Sequence, residues 1–295
     1  MPTDLRLSRF KPLPVILSFD DFDEGVNGWA ELCGNHNGDL DQIRQVFKDM
    51  RPPQISNCTF FDIGTHGAMH GNYALKLATR PKRFHQAVGI KRLTARSNGL
   101  VQVETYFAYK AEQSLNPHEN WDGNFHPSEN DFGSFTIWND ICLGSEPRDR
   151  YMCALRYQNT DTDGNLVQSW SYKTALHPTT KMMLEGIESE GNDVHVASSA
   201  DWHLMDGGHQ PLCFNEVPTK VNWHYLRWTF DLAEHRNVEL QVNDRIMDVS
   251  EVPVLHYPDA YSSIPRLLNF CFDVRTHGDV RNFLFLDSVL ISMSE

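Results

Sequence analysis

Apolar and polar residues alternate at a two-residue period along most of this chain. That pattern limits what it can fold into more than any other feature. "GLVQVETYFAYK" (99–110), "GSFTIWNDICLG" (133–144), "YMCALRYQN" (151–159) and "LVQSWSYKT" (166–174) all carry it. So do "HYLRWTFDL" (224–232), "NVELQVND" (237–244), "LLNFCFDVRT" (267–276) and "NFLFLDSVLIS" (282–292). A strand sends successive side chains to opposite faces, so such runs predict strands with one buried face. "DTDGN", "AEHRN" and "THGD" stand between them and supply turn residues. The expectation is an all-β protein, an antiparallel β-sandwich.

One segment has a different period. In "NGDLDQIRQVFKDMRPP", Leu40, Ile43, Phe47 and Met50 share a helical face, Asn37 or Asp39 can cap the start, and Pro52 and Pro53 end it. This predicts a short helical insertion at 37–51. Residues 1–14 read as an N-terminal arm. With no repeat and no dividing linker, residues 1–295 are expected to form a single domain.

Charge and composition narrow the function classes. The formal net charge is −13, whereas a duplex-binding surface needs clustered cations to displace counterions. Nucleic acid is therefore not an expected partner. No apolar run is long enough for a membrane helix, and the start of the chain lacks the pattern of a signal peptide. Cys33, Cys58, Cys142, Cys153, Cys213 and Cys271 are isolated, with no CxxC. This favours free thiols and a cytoplasmic location.

Three stretches form a set: "SFDDFDEGVNGW" (18–29), "HGNYALKLATR" (70–80) and "FLFLDSVLIS" (283–292). Together they resemble the jelly-roll carbohydrate-binding modules. The hairpin "NWHYLRWTFDLAEHRNVELQVNDR" (222–245) resembles those of concanavalin A-like and laminin G-like sandwiches. The resemblance covers the two ends and this hairpin and does not extend to residues 110–215. The resemblance implies a jelly roll that handles saccharides. It also implies a structural Ca2+ tying the first strand to the last through Asp21, Asp23 and Asp287, with Asp20 and Glu24 to spare. The alternative for these acids is a solvated strand end.

Strand parity nominates a site. Val101, Val103, Thr105 and Phe107 form one face of their strand; Gln102, Glu104 and Tyr106 form the other. The next two strands oppose their apolar sets with Thr136, Trp138 and Asp140, and with Met152, Arg156 and Gln158. Aromatic rings beside amides and charges suit a sugar, which offers both C–H patches and hydroxyls. An outer, solvated sheet face has the same composition. If the three strands share a concave groove, Glu104 and Asp140 are the candidate catalytic acids. Gln102, Tyr106, Trp138, Arg156 and Gln158 then contact substrate. Two carboxylates are the usual apparatus of glycoside hydrolysis; a salt bridge to Arg156 is the plainer alternative. His118 and His126, with Glu119 and Glu129, form a second cluster on the long loop 118–133. The sequence thus supports a carbohydrate-active protein that binds and, as an enzyme, cleaves a small glycoside. The alternatives are a non-catalytic lectin-like protein and a structural partner subunit.

Overall fold

The structure, a computed structural model, describes residues 5–31, 50–56, 68–112, 128–143, 150–175, 182–184, 187–189, 200–215, 221–257 and 266–295. Its strands are β1 (Val15–Asp20), β2 (Trp29–Ala30), β3 (Met50–Arg51), β4 (Gln54–Ile55), β5 (Leu75–Ala78), β6 (Gln86–Thr94) and β7 (Leu100–Ala111). They continue with β8 (Ser134–Cys142), β9 (Arg150–Thr160), β10 (Leu166–Lys173), β11 (Met182–Leu184), β12 (Ile187–Ser189) and β13 (Trp202–His209). The last six are β14 (His224–Asp231), β15 (Arg236–Val242), β16 (Arg245–Met247), β17 (Leu255–Tyr257), β18 (Leu267–Arg275) and β19 (Asn282–Met293). All eight alternating segments are strands.

Two sheets form a sandwich. The first runs β16-β15-β14-β7-β19-β5-β4, with β1 also on β19; the second runs β13-β10-β9-β8-β18-β6-β2, with β17 on β9 and β3 on β6. Pairing is antiparallel except between β3 and β6. The parity of each strand decides what lies between the sheets. Val103, Phe107, Trp228 and Leu286 come from the first sheet and Ile137, Leu155, Phe270 and Phe272 from the second, all in one buried cluster. Asn139 falls on the core side too, where its Oδ1 accepts the Cys153 N–H at 2.9 Å. That bond satisfies the amide oxygen, which burial would otherwise penalise, while Nδ2 is buried without a hydrogen-bond partner among the described residues.

The helix expected at 37–51 lies outside the described residues, save for its last two. Met50 and Arg51 are strand, paired with Gln86 and Ala87. The physical reason is Pro52, since a following proline pushes a residue out of the helical region. "DTDGN" is the tight turn between β9 and β10. Asp161 Oδ1 accepts the N–H of Asp163 and of Asn165, both at 2.9 Å, and Gly164 sits at φ +84°. The four cysteines among the described residues are free thiols.

At β19 the order of strands matters. One edge of β19 pairs with β7 throughout, with a register shift between Asp287 and Leu290. The other edge pairs first with β5 (283–286) and then with β1 (289–293). The neighbour changes at the bulge, where Ser288 has φ +56°. A bulge bends its strand and re-aims its side chains. Here it places Asp287 at the seam between the two edge strands.

Candidate functional site

The nominated residues divide between two outer faces. Gln102, Glu104 and Tyr106 point away from the core on the first sheet. Trp138, Asp140, Arg156 and Gln158 point away from it on the second. β7 and β8 are not neighbours, so Glu104 and Asp140 stand on opposite sides of the sandwich. The expected acid pair is thereby corrected. Matching parity in successive segments says that both acids leave the core, and only strand pairing says from which sheet. His118 and His126 lie outside the described residues.

Each acid also has a structural occupation. Glu104 is fully buried under the N-terminal arm. Its carboxylate accepts the Lys11 N–H at 3.0 Å, Gln102 Nε2 at 2.8 Å and the Tyr225 hydroxyl. Gln102 Nε2 further donates to the Lys11 carbonyl, and Tyr106 packs against Phe10. These residues fasten the arm. Asp140 receives both Nε (2.8 Å) and Nη2 of Arg150, with Asn269 Nδ2 at 3.2 Å. Its partner is Arg150, not the expected Arg156.

The outer face of the second sheet is the richer of the two. Val88, Ile90, Trp138, Met152, Ala154 and Cys271 form an apolar strip there, with part-buried Trp202 packed against it. Register brings Lys173 opposite Trp202 and Ser171 opposite Arg156. The Arg156 guanidinium lies 3.6 Å from the Trp202 ring centroid, and Lys173 Nζ lies 5.3 Å from it. Asp273, on β18, hydrogen-bonds Thr136 and Trp138 and faces Arg156 and Arg275. Its Oδ1 is buried without a hydrogen-bond partner among the described residues. Burial raises the Asp273 carboxyl to about 6 although both arginines oppose it. Burial lowers Arg156 to about 9 and, with Arg156 beside it, lowers Lys173 to about 8. Trp138 is only 3% exposed, so the accessible aromatic surface is Trp202, with half-buried Gln158 and exposed Leu204 on the same face.

Sequence reasoning missed Trp202 and Asp273. Parity applied to "LLNFCFDVRT" places Asn269, Cys271 and Asp273 on the outer face. "DWHLMDGGH" has too little alternation to announce a strand, so Trp202 carried no such signal.

The acidic run at 20–24 has a separate answer for each carboxylate. Asp20 turns inward to Lys91 Nζ (2.9 Å) and Trp29 Nε1 (3.0 Å). Asp21 Oδ2 accepts Arg6 Nη1 at 2.7 Å. Asp23 Oδ1 accepts the N–H of Asn72 at 2.6 Å and of Tyr73 at 3.1 Å. Glu24 is exposed. Asp287 takes the His70 N–H on Oδ2 (2.9 Å) and the Ser288 hydroxyl on Oδ1 (2.7 Å). Burial raises it to about 6; Arg9 opposes that shift and Asp23 adds to it. Calcium needs six to eight bare oxygens in one shell. Here Asp21 Oδ2, Asp23 Oδ1 and both Asp287 oxygens already accept N–H or O–H donors. Among the described residues no three His, Cys, Asp or Glu side chains converge as a metal's ligands. The donor set does not fit the implied ion.

A family model described as a domain of unknown function (DUF6772) matches residues 1–295. No curated protein matches the chain. Among solved structures, the chain is similar to the potassium-bound carbohydrate recognition domain of Emp46p, at 10% identity and a TM-score of 0.35, covering 91% of this chain and 98% of that one. The lectin UEA-II complexed with galactose is 7% identical with a TM-score of 0.36, covering 77% and 89%. A lectin from Bauhinia forficata in complex with GalNAc is 11% identical with a TM-score of 0.34, covering 84% and 95%. At such scores the fold rests on the strands described above.

Proposed function

We propose, for a chain that belongs to the DUF6772 family along its whole length, that it binds a saccharide without cleaving it, on the outer face of its second sheet. The observation that carries this reading is the Trp202 indole. One ring face is held by the Arg156 guanidinium at 3.6 Å, while the residue stays part-exposed at the edge of the strip. A ring pinned this way offers a flat apolar platform at little entropic cost. Gln158 adds an amide for hydroxyl groups. The pair nominated for cleavage does not support hydrolysis. Glu104 lies across the core, and Asp140 is held by Arg150.

A glycan array probed with the full chain, followed by titration calorimetry on the best ligand, tests this. Trp202→Ala should weaken binding at least about tenfold, the equivalent of about 1.4 kcal/mol. Glu104→Gln should leave affinity unchanged. An array with no bound glycan, or an alanine variant that binds like the wild type, overturns the proposal.

A further inference from the structure

The seam between the first and last strands carries a second inference, independent of the saccharide reading. The resemblance implies a metal there, and the donors do not fit one. Asp23 acts on Asp287 as a like charge and raises it, so a cation at this seam relieves a repulsion between the two. The N-terminal arm brings that charge. Arg6 donates to Asp21 at 2.7 Å. Arg9 Nη2 donates to the Ser288 hydroxyl, which in turn donates to Asp287 at 2.7 Å. Asp287 and Asp21 are the carboxylates that act on Arg9. The Arg9 guanidinium also lies over the Phe10 and Tyr106 rings, at 5.4 and 5.6 Å. That stacking holds its planar fork in one orientation.

The backbone commits the third acid. Gly71, at φ +74°, brings residues 71–73 so close to Asp23 that a Cβ would lie 2.0 Å from its Oδ2. Asp23 Oδ1 therefore answers main-chain N–H groups, those of Asn72 and Tyr73. A cavity of about 510 Å³ lies between arm and strands, lined by Arg6, Ser8, Arg9, Asp21, Asp23 and His70, among others. It holds both signs of charge, unlike a calcium cage of bare oxygens.

We infer that Arg6 and Arg9 are the built-in cations of this seam, closing the first strand onto the last without a metal ion. The arm has a defined job in this arrangement. It carries the positive charge covalently, so closure depends on ionic strength and not on divalent metal.

Thermal melts of the full chain test this, with EDTA, with added calcium chloride and over a sodium chloride series. The wild-type Tm should be the same with EDTA and with calcium. Calorimetric titration with calcium chloride should show no binding. Arg6→Met/Arg9→Met should melt several degrees lower and lose part of the wild type's salt dependence. Should the double variant fail to fold, Arg9→Lys replaces it. That substitution keeps the charge but loses the fork, and it should still lower Tm. A wild-type Tm that falls with EDTA and is restored by calcium, calorimetric calcium binding, or arginine variants that melt like the wild type would each overturn the inference.

Discussion

Asp20 and Lys91 show what a single residue decides. Asp20 belongs to the first sheet and Lys91 to the second, and their ion pair lies at the sandwich edge with side chains only 6% and 11% exposed. Removing one partner of a buried pair strands the other charge. Lys91→Met should therefore cost about 3–5 kcal/mol in denaturant unfolding. Asp20→Asn in the same chain should recover much of that loss. If the double variant is as unstable as the single one, the pair is not the source. Gly71 is the second such residue. In Gly71→Ala the backbone would stay left-handed, at about 1–2 kcal/mol, and the new methyl would push Asp23 off its N–H donors. A chevron should show the cost, and a value near zero would mean that the turn can relax.

Among the elements, the N-terminal arm departs furthest from expectation for its place in the chain. Terminal segments usually fray. This one is fixed at intervals: Leu13 N–H to Ser292 Oγ at 3.0 Å, Lys11 N–H to Glu104, and Arg9 to Ser288. Phe10 enters an aromatic group with Phe19 and Tyr106, at 6.2 and 5.7 Å, and is only 6% exposed. It is packed like a core residue, so Phe10→Ala should cost about 3 kcal/mol. The backbone amide of Lys11 should be protected from hydrogen exchange. A cost under about 1 kcal/mol, or exchange at the rate of an open chain, would mean that the arm adds little to the fold.

For the whole molecule, pH reads the buried charges together. His277 is lowered to about 4, first by burial and then by Arg275 and Arg156. Its ordinary value is about 6.5, so below that pH the unfolded chain binds the extra proton. Its contribution to stability is present above pH 6.5 and is lost as pH falls toward 4. Asp273 works the other way. Its folded value is about 6, raised by burial from 3.8. The native state takes up the proton first, so stability is gained as pH falls through 6 toward 4. Each effect amounts to about 2 kcal/mol between pH 7 and pH 4.5–4. They oppose one another. His277→Gln should therefore gain relative to the wild type as pH is lowered over this range, and Asp273→Asn should lose. Urea unfolding at several pH values checks both signs, and parallel pH curves for all three proteins would contradict them.

The sequence alone determined the fold class, because alternation is local. A run such as "GLVQVETYFAYK" commits Val103 and Phe107 to one face and Glu104 to the other, whatever its neighbours are. The same parity sent Trp138, Asp140, Arg156 and Gln158 out of the core. Parity cannot say which sheet a strand joins. That depends on pairing between segments far apart in the chain, and pairing put Glu104 and Asp140 on opposite faces. Partner choice was hidden for the same reason. Arg150 reaches Asp140, Arg156 turns to Trp202, and Arg6 and Arg9 stand at the seam where the resemblance implied a metal. Those contacts are set by register and by the bulge at Ser288, so only the tertiary structure decided them.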